Sequence, residues 1–180
     1  QLRQVAKIIR AATTGVVEAE RDTFFVQLGA FDTHHYPLPD SKLQQVETGL
    51  AAFAAEMRAQ GVWDQVTVLV ASEFGRTLTS NGQGTDHGWG GHNWLMGGAV
   101  NGGRIFGRYP DSLGTDHALD AGRGRVIPTT SWEAVWHGIA EWMGVEPSDM
   151  TGILPNLPNF VNCEAGAPGC RVFSQADLFR

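Results

Sequence analysis

The run VTVLVA at Val66 to Ala71 is nearly continuous in apolar residues and has the length of one strand. A strand that is apolar on both faces has to be covered on both, the pattern of a central strand in a parallel sheet. Its surroundings fit that placement. Asp40-Ser41 is an N-cap signal for a helix through Gln60, whose apolar positions Leu43, Val46, Leu50, Phe53 and Met57 recur every three or four residues until Gly61 stops it. Upstream, Leu2, Val5, Ile9 and Ala12 share one helical face, and TFFVQL at Thr23 to Leu28 is β-rich and ends at Gly29. This β-α-β order predicts an α/β fold: a doubly wound, mostly parallel sheet with long Gly-rich loops at the carboxyl edge, where ligands of such sheets bind.

Chemistry-bearing residues gather at that predicted edge. FDTHH (Phe31 to His35) follows the first strand, SEFGRT (Ser72 to Thr77) the second, and GTDHGWGGH (Gly84 to His92) lies in the next loop. Acidic and imidazole groups set close together are costly to desolvate unless a cation or hydrogen-bond partner compensates them. Asp32 and His34 form a hard/borderline ligand pair for zinc or manganese, against the alternative of an Asx-turn beside an exposed His. His35, adjacent, points elsewhere in an extended chain. Glu73 reads first as an ion-pair partner of Arg76, with a ligand or a general base as the competing roles, and Arg76 alternatively clamps an oxyanion through its planar fork. Asp86-His87-Gly88 supplies a second acid-imidazole pair, with His92 close by among Trp89 and Trp94, where stacking or capping is the competing role. His117 and His137 read as structural or solvated.

Composition removes several other classes. With 180 residues, 42% of them hydrophobic, the chain can bury one core, so a single domain over 1–180 is expected, with a Pro/Asn-rich surface-wrapping tail over 145–180. A net charge of -6 and the lack of a basic stripe argue against nucleic acid as a partner. The longest apolar runs are strand-length, so no transmembrane segment is expected. Glycines near Gly97 and Gly102 do not make the strand-to-helix GxGxxG of a dinucleotide binder. The chain begins QLRQVAKIIRAA, inside what reads as a helix and without a signal peptide, which predicts a preceding part of the natural protein. Cys163 and Cys170, in CEAGAPGC, predict a local disulfide in an oxidising compartment; two free thiols are the alternative. Thr130 or Ser131 caps a further helix, whose buried face is predicted as Trp132, Val135, Trp136, Ile139 and Met143.

GAFDTH, the run SEFGRTLTSNGQGTDHGWGGHNWLMGGAVNGGRIFG, then GRGRVIPTTS with a helix ending in EWMGV, and finally PNLPNF occur in one order. In that order they resemble the bacterial family catalogued as domain of unknown function 1501, grouped with the alkaline phosphatase/sulfatase superfamily. The likeness covers nearly the whole chain and corresponds to the C-terminal portion of such proteins, which are longer and often carry a twin-arginine export signal. It implies an alkaline-phosphatase-like sheet and a periplasmic or extracellular location. It also implies a divalent metal (zinc, manganese or calcium) and hydrolysis of small anionic phosphate or sulfate esters. Asp32 with His34 or His35 resembles the superfamily's Asp and His after one strand, more tightly spaced. In VTVLVASEFG, Glu73 takes the Asp position and Phe74 the His position of an Asp-His-Gly metal motif, so a carboxylate is kept and an imidazole lost. His87 resembles the later His that precedes the next strand. The resemblance thus implies one good site from Asp32, His34 and His87 and a degraded one at Glu73. Asp86 or His92 would orient His87, and the nucleophile would lie in the N-terminal segment. The rival expectation is a non-catalytic exported module that uses its aromatic groups on a glycan or a partner.

Overall fold

The computed structural model describes residues 1–114, 117–163, 167 and 169–180. The helices are α1 (Leu2–Thr13), α2 (Asp40–Ala59), α3 (Trp132–Trp142), α4 (Met150–Ile153), α5 (Pro158–Val161) and α6 (Gln175–Leu178). Between α2 and α3 lie β1 (Thr67–Val70), β2 (Gly75–Ser80), β3 (Thr85–Gly88) and β4 (Trp94–Gly97). The strands form two separate two-stranded antiparallel sheets, β1 with β4 and β2 with β3.

The doubly wound, mostly parallel sheet expected from the sequence is therefore corrected. Thr23 to Leu28 forms no strand; it is exposed throughout, Phe25 to 91%. β-rich composition records how well side chains fit a pleated, half-buried surface, and it makes a strand only where an edge is there to pair with. VTVLVA finds its edge in WLMG instead, Thr67 opposite Gly97 and Val70 opposite Trp94. The chain reaches that partner through the β2–β3 hairpin rather than a helical crossover, and so returns antiparallel.

Partial cover is nonetheless what the apolar run obtains, each β1 residue being half-buried. Cross-strand partners share a face, so Val68 and Met96 point one way and Leu69 and Leu95 the other. Val66 and Val68 pack on the cluster of Ala6, Phe53, Met57 and Val62 from α1, α2 and the turn after α2. Leu95 packs on Val100, just after β4, and on Ala134, Phe173, Leu178 and Phe179, from α3 and the C-terminal segment. Helices thus replace the missing neighbour strands as the source of burial.

Helix α3 begins at Ser131, whose Oγ accepts a hydrogen bond from the Ala134 N–H at 3.1 Å. Its most buried positions are Ala134, Gly138 and Ala140, while Trp132 and Trp136 are 44% and 41% exposed. The face predicted from large apolar residues is displaced because the C-terminal segment comes in close. A Cβ at Gly138 would stand 2.7 Å from Leu178 Cδ1 and 2.8 Å from the Ser174 carbonyl, so small residues take the contact.

The tail ends in the core. Phe173, Leu178 and Phe179 are buried, and Phe179 bridges to Val100. A capping box holds α6: Asp177 N–H donates to Ser174 Oγ and Ser174 N–H donates to Asp177 Oδ2, the latter at 2.8 Å. That backbone hydrogen bond is the main reason the Asp177 carboxyl is held below its ordinary value. Ser174→Ala is expected to cost about 1 kcal/mol, read as a shifted urea midpoint with an unchanged slope. Cys163 and Cys170 are disulfide-bonded, with Cα atoms 5.7 Å apart, and residues 164–166 and 168 between them lie outside the described set. Among the described residues no helix is long and apolar enough to cross a membrane.

Candidate metal centre

Two connections bring the loop after Phe31 against the β2–β3 hairpin. The first is Asn81, in the Asn-Gly turn. Its Oδ1 accepts from the N–H groups of Gln83 and Gly84 at 3.0 and 2.8 Å, which closes the turn. Its Nδ2 donates to the His34 carbonyl at 3.0 Å and to Asp86 Oδ1 at 2.8 Å, which attaches the loop. The second is Arg76, whose terminal nitrogens donate to the carbonyls of Thr85 at 2.9 Å and Phe31 at 2.7 Å. Only glycine fits where the two segments touch, since a Cβ on Gly84 would stand 2.6 Å from the His34 carbonyl oxygen.

The result is a three-donor group. Asp32 Oδ1 lies 2.8 Å from His87 Nε2 and 2.9 Å from His34 Nε2, and one donor atom from each residue falls within 4.8 Å of the others. The side chains are 62%, 42% and 38% exposed for Asp32, His87 and His34, so the group opens to solvent. The two imidazoles are oriented by different means. His34 Nδ1 faces Asp86 Oδ1 at 3.3 Å, and Asp86 Oδ2 accepts from Arg123 at 2.8 Å. His87 is held through its face: the Phe74 ring stacks on it at 3.9 Å and 7°, with the Arg76 guanidinium 5.0 Å from the Phe74 centroid.

These contacts hold both carboxyls below their ordinary range. For Asp32 the chief cause is the hydrogen bond from His87; for Asp86 it is the Asn81 amide, then His34 and Arg123. A carboxyl with a depressed folded pKa adds stability above its unfolded value of 3.8, and the contribution is lost as pH falls through the folded value. The loop–hairpin junction is therefore expected to hold at pH 5 and loosen below about pH 4. Amide exchange at Gln83 and Gly84 measures it, and protection already lost at pH 5 would contradict this origin.

The structure distributes the other predicted residues around this group. Asp86 stands behind His34, not His87, and outside the three donors. His92 stacks on Tyr109 with centroids 5.3 Å apart and lies outside the group, as does the exposed Glu73. Arg76 spends its terminal nitrogens on backbone carbonyls, so it works as a staple between segments. His35 is exposed beside the group. Sequence reasoning missed Asn81 and Arg123 and took Phe74 only as a lost imidazole. The Asn-Gly dipeptide was a readable turn signal, whereas nothing local marks Arg123, 37 residues from Asp86. Because a carboxylate behind a ligating imidazole fixes its tautomer and raises its basicity, Asp86→Ala is expected to weaken zinc binding roughly 10–100-fold. Competition with a chromophoric chelator measures that change.

A family model described as protein of unknown function (DUF1501) matches residues 10–123. The match takes in more than half of the chain, the three donors, Asp86 and Arg123, and the chain belongs to that family. No curated protein and no solved structure matches the chain.

Proposed function

We propose that the protein is an exported, metal-dependent hydrolase of small phosphate or sulfate esters. The observation that carries the reading is the Asp32–His34–His87 group, with Asp86 behind His34. Its chemistry fits a divalent cation: two imidazole nitrogens and one carboxylate suit zinc or manganese, whereas calcium prefers an all-oxygen shell. Three protein ligands on an open, solvent-facing surface match the pattern of catalytic sites, which leave a position free, better than that of closed structural ones. A divalent cation held there supplies Lewis-acid stabilisation of charge developing on the ester.

The chain's own residues do the rest. Asp32 contributes the group's negative charge, His34 and His87 contribute neutral donors, and Asp86 with Asn81 fixes the His34 ring. Arg123, already paired with Asp86, is the cation beside the group, in place of the staple Arg76. Glu73 stands apart, which favours one cation over a two-metal arrangement. The Cys163–Cys170 disulfide supports an oxidising compartment and hence export.

A non-catalytic glycan- or partner-binding role is the second reading, favoured by the exposure of Trp89 and Trp94 at 69% and 56%. One experiment separates them. The protein is purified without chelator, its metal content is measured, and it is screened against phosphate and sulfate esters before and after chelation and zinc or manganese return. Stoichiometric metal with hydrolysis that follows it supports the first reading. Metal-free protein inert under every loading leaves the second.

A further inference from the structure

Beside the three-donor group lies an open cleft of about 550 Å³, within the usual range for small-ligand sites. Phe31, Tyr36 and Leu38 line it from the loop, Phe74 from just before β2, Arg76 from the start of β2, and Gln83 from the hairpin turn. Phe74 belongs to both places, because the ring that lines the cleft also stacks on His87. Phe31 is the neighbour of Asp32, so the loop presents an aromatic side chain to the cleft and the next residue's carboxylate to the donor group. The lining contains no carboxylate, and its single charge, Arg76, has both terminal nitrogens bonded to backbone carbonyls. Thr33, Tyr36, Ser72 and Gln83 give this wall polar groups but no free cation to hold an anion, while a flat apolar group finds three aromatic rings, Phe31, Tyr36 and Phe74.

We propose that this cleft binds the uncharged aromatic portion of the substrate, so that the preferred esters carry an aryl group next to the anionic centre. The assignment rests on the metallohydrolase reading for the anionic end only; the cleft's affinity for a ring stands on its own lining. Burying one phenyl ring is worth roughly tenfold or more in affinity.

The test titrates the full chain, with and without zinc, against phenylphosphonate, methylphosphonate and benzyl alcohol, following backbone amide shifts. The expected result is that zinc-loaded protein binds phenylphosphonate at least about tenfold tighter than methylphosphonate. Benzyl alcohol should shift residues 31–38 whether or not zinc is present. Tyr36→Ala and Phe31→Ala should each shrink the phenyl preference and weaken benzyl alcohol while leaving zinc content unchanged. If the protein binds no metal, the phosphonates drop out and benzyl alcohol decides alone: shifts at 31–38 that both variants abolish keep the cleft assignment while the metallohydrolase reading fails. Equal phosphonate affinities in zinc-loaded protein overturn the assignment, as does benzyl alcohol leaving 31–38 unperturbed or acting equally on the variants.

Discussion

Asp32→Ala is expected to leave the protein without stoichiometric zinc or manganese while it remains folded. Asp32 Oδ1 sits between both imidazole Nε2 atoms, at 2.8 and 2.9 Å, and is the only anionic donor of the three. Its removal leaves two neutral nitrogens against a divalent charge. The loss should exceed the roughly 10–100-fold typical of residues that merely orient a ligand, so at least about a hundredfold is expected. Folding should survive, because Asp32 is exposed and the loop stays attached through Asn81 and Arg76. Glu73→Ala, exposed and outside the group, is the matched control and should keep its metal. Elemental analysis with a chelator competition titration gives the answer. Full metal content in Asp32→Ala would remove the site from consideration.

The largest loss of stability is expected from Met57→Ala. Met57 is 0% exposed and touches the region where α1, α2 and β1 meet, among Ala6, Phe53 and Val62. Truncation removes transfer free energy and leaves a cavity that two helices and a strand cannot all collapse into. The cost is about 2–5 kcal/mol, a large share of the roughly 5–15 kcal/mol available to a domain. For a chain of this size that lowers the melting temperature by roughly 4–20 °C. Leu43→Ala, on the same helix but 51% exposed, should change stability by no more than about 0.5 kcal/mol. Thermal and urea unfolding of the pair test the contrast. Equal stabilities would mean that α2 does not pack through this face.

Periodicity was most readable where one local rule dominated. Helices α1, α2 and α3 lie where apolar spacing, Gly61 and Ser131 place them, since 3.6-residue recurrence and caps are properties of the adjacent chain. The exposed face of α3 shows the limit. Large side chains suggested Trp132 and Trp136 as buried, but the C-terminal segment selects the face of Ala134 and Gly138, and nothing within α3 records that approach. The sheet failed for the same reason: VTVLVA announces a strand, yet its partner and direction depend on which edge the rest of the chain delivers.

By itself, the sequence determined where α1, α2 and α3 lie, that VTVLVA forms a strand, and that Cys163 and Cys170 had only each other to bond with. Those are matters of composition and short-range spacing. Tertiary structure alone decided that Asp32 and His34 meet His87 across 55 and 53 positions of chain, that Asp86 stands behind His34, and that Arg76 holds segments together. Such juxtapositions depend on loop closure through Asn81, Gly84 and Arg76, contacts whose energy exists only once both segments are in place.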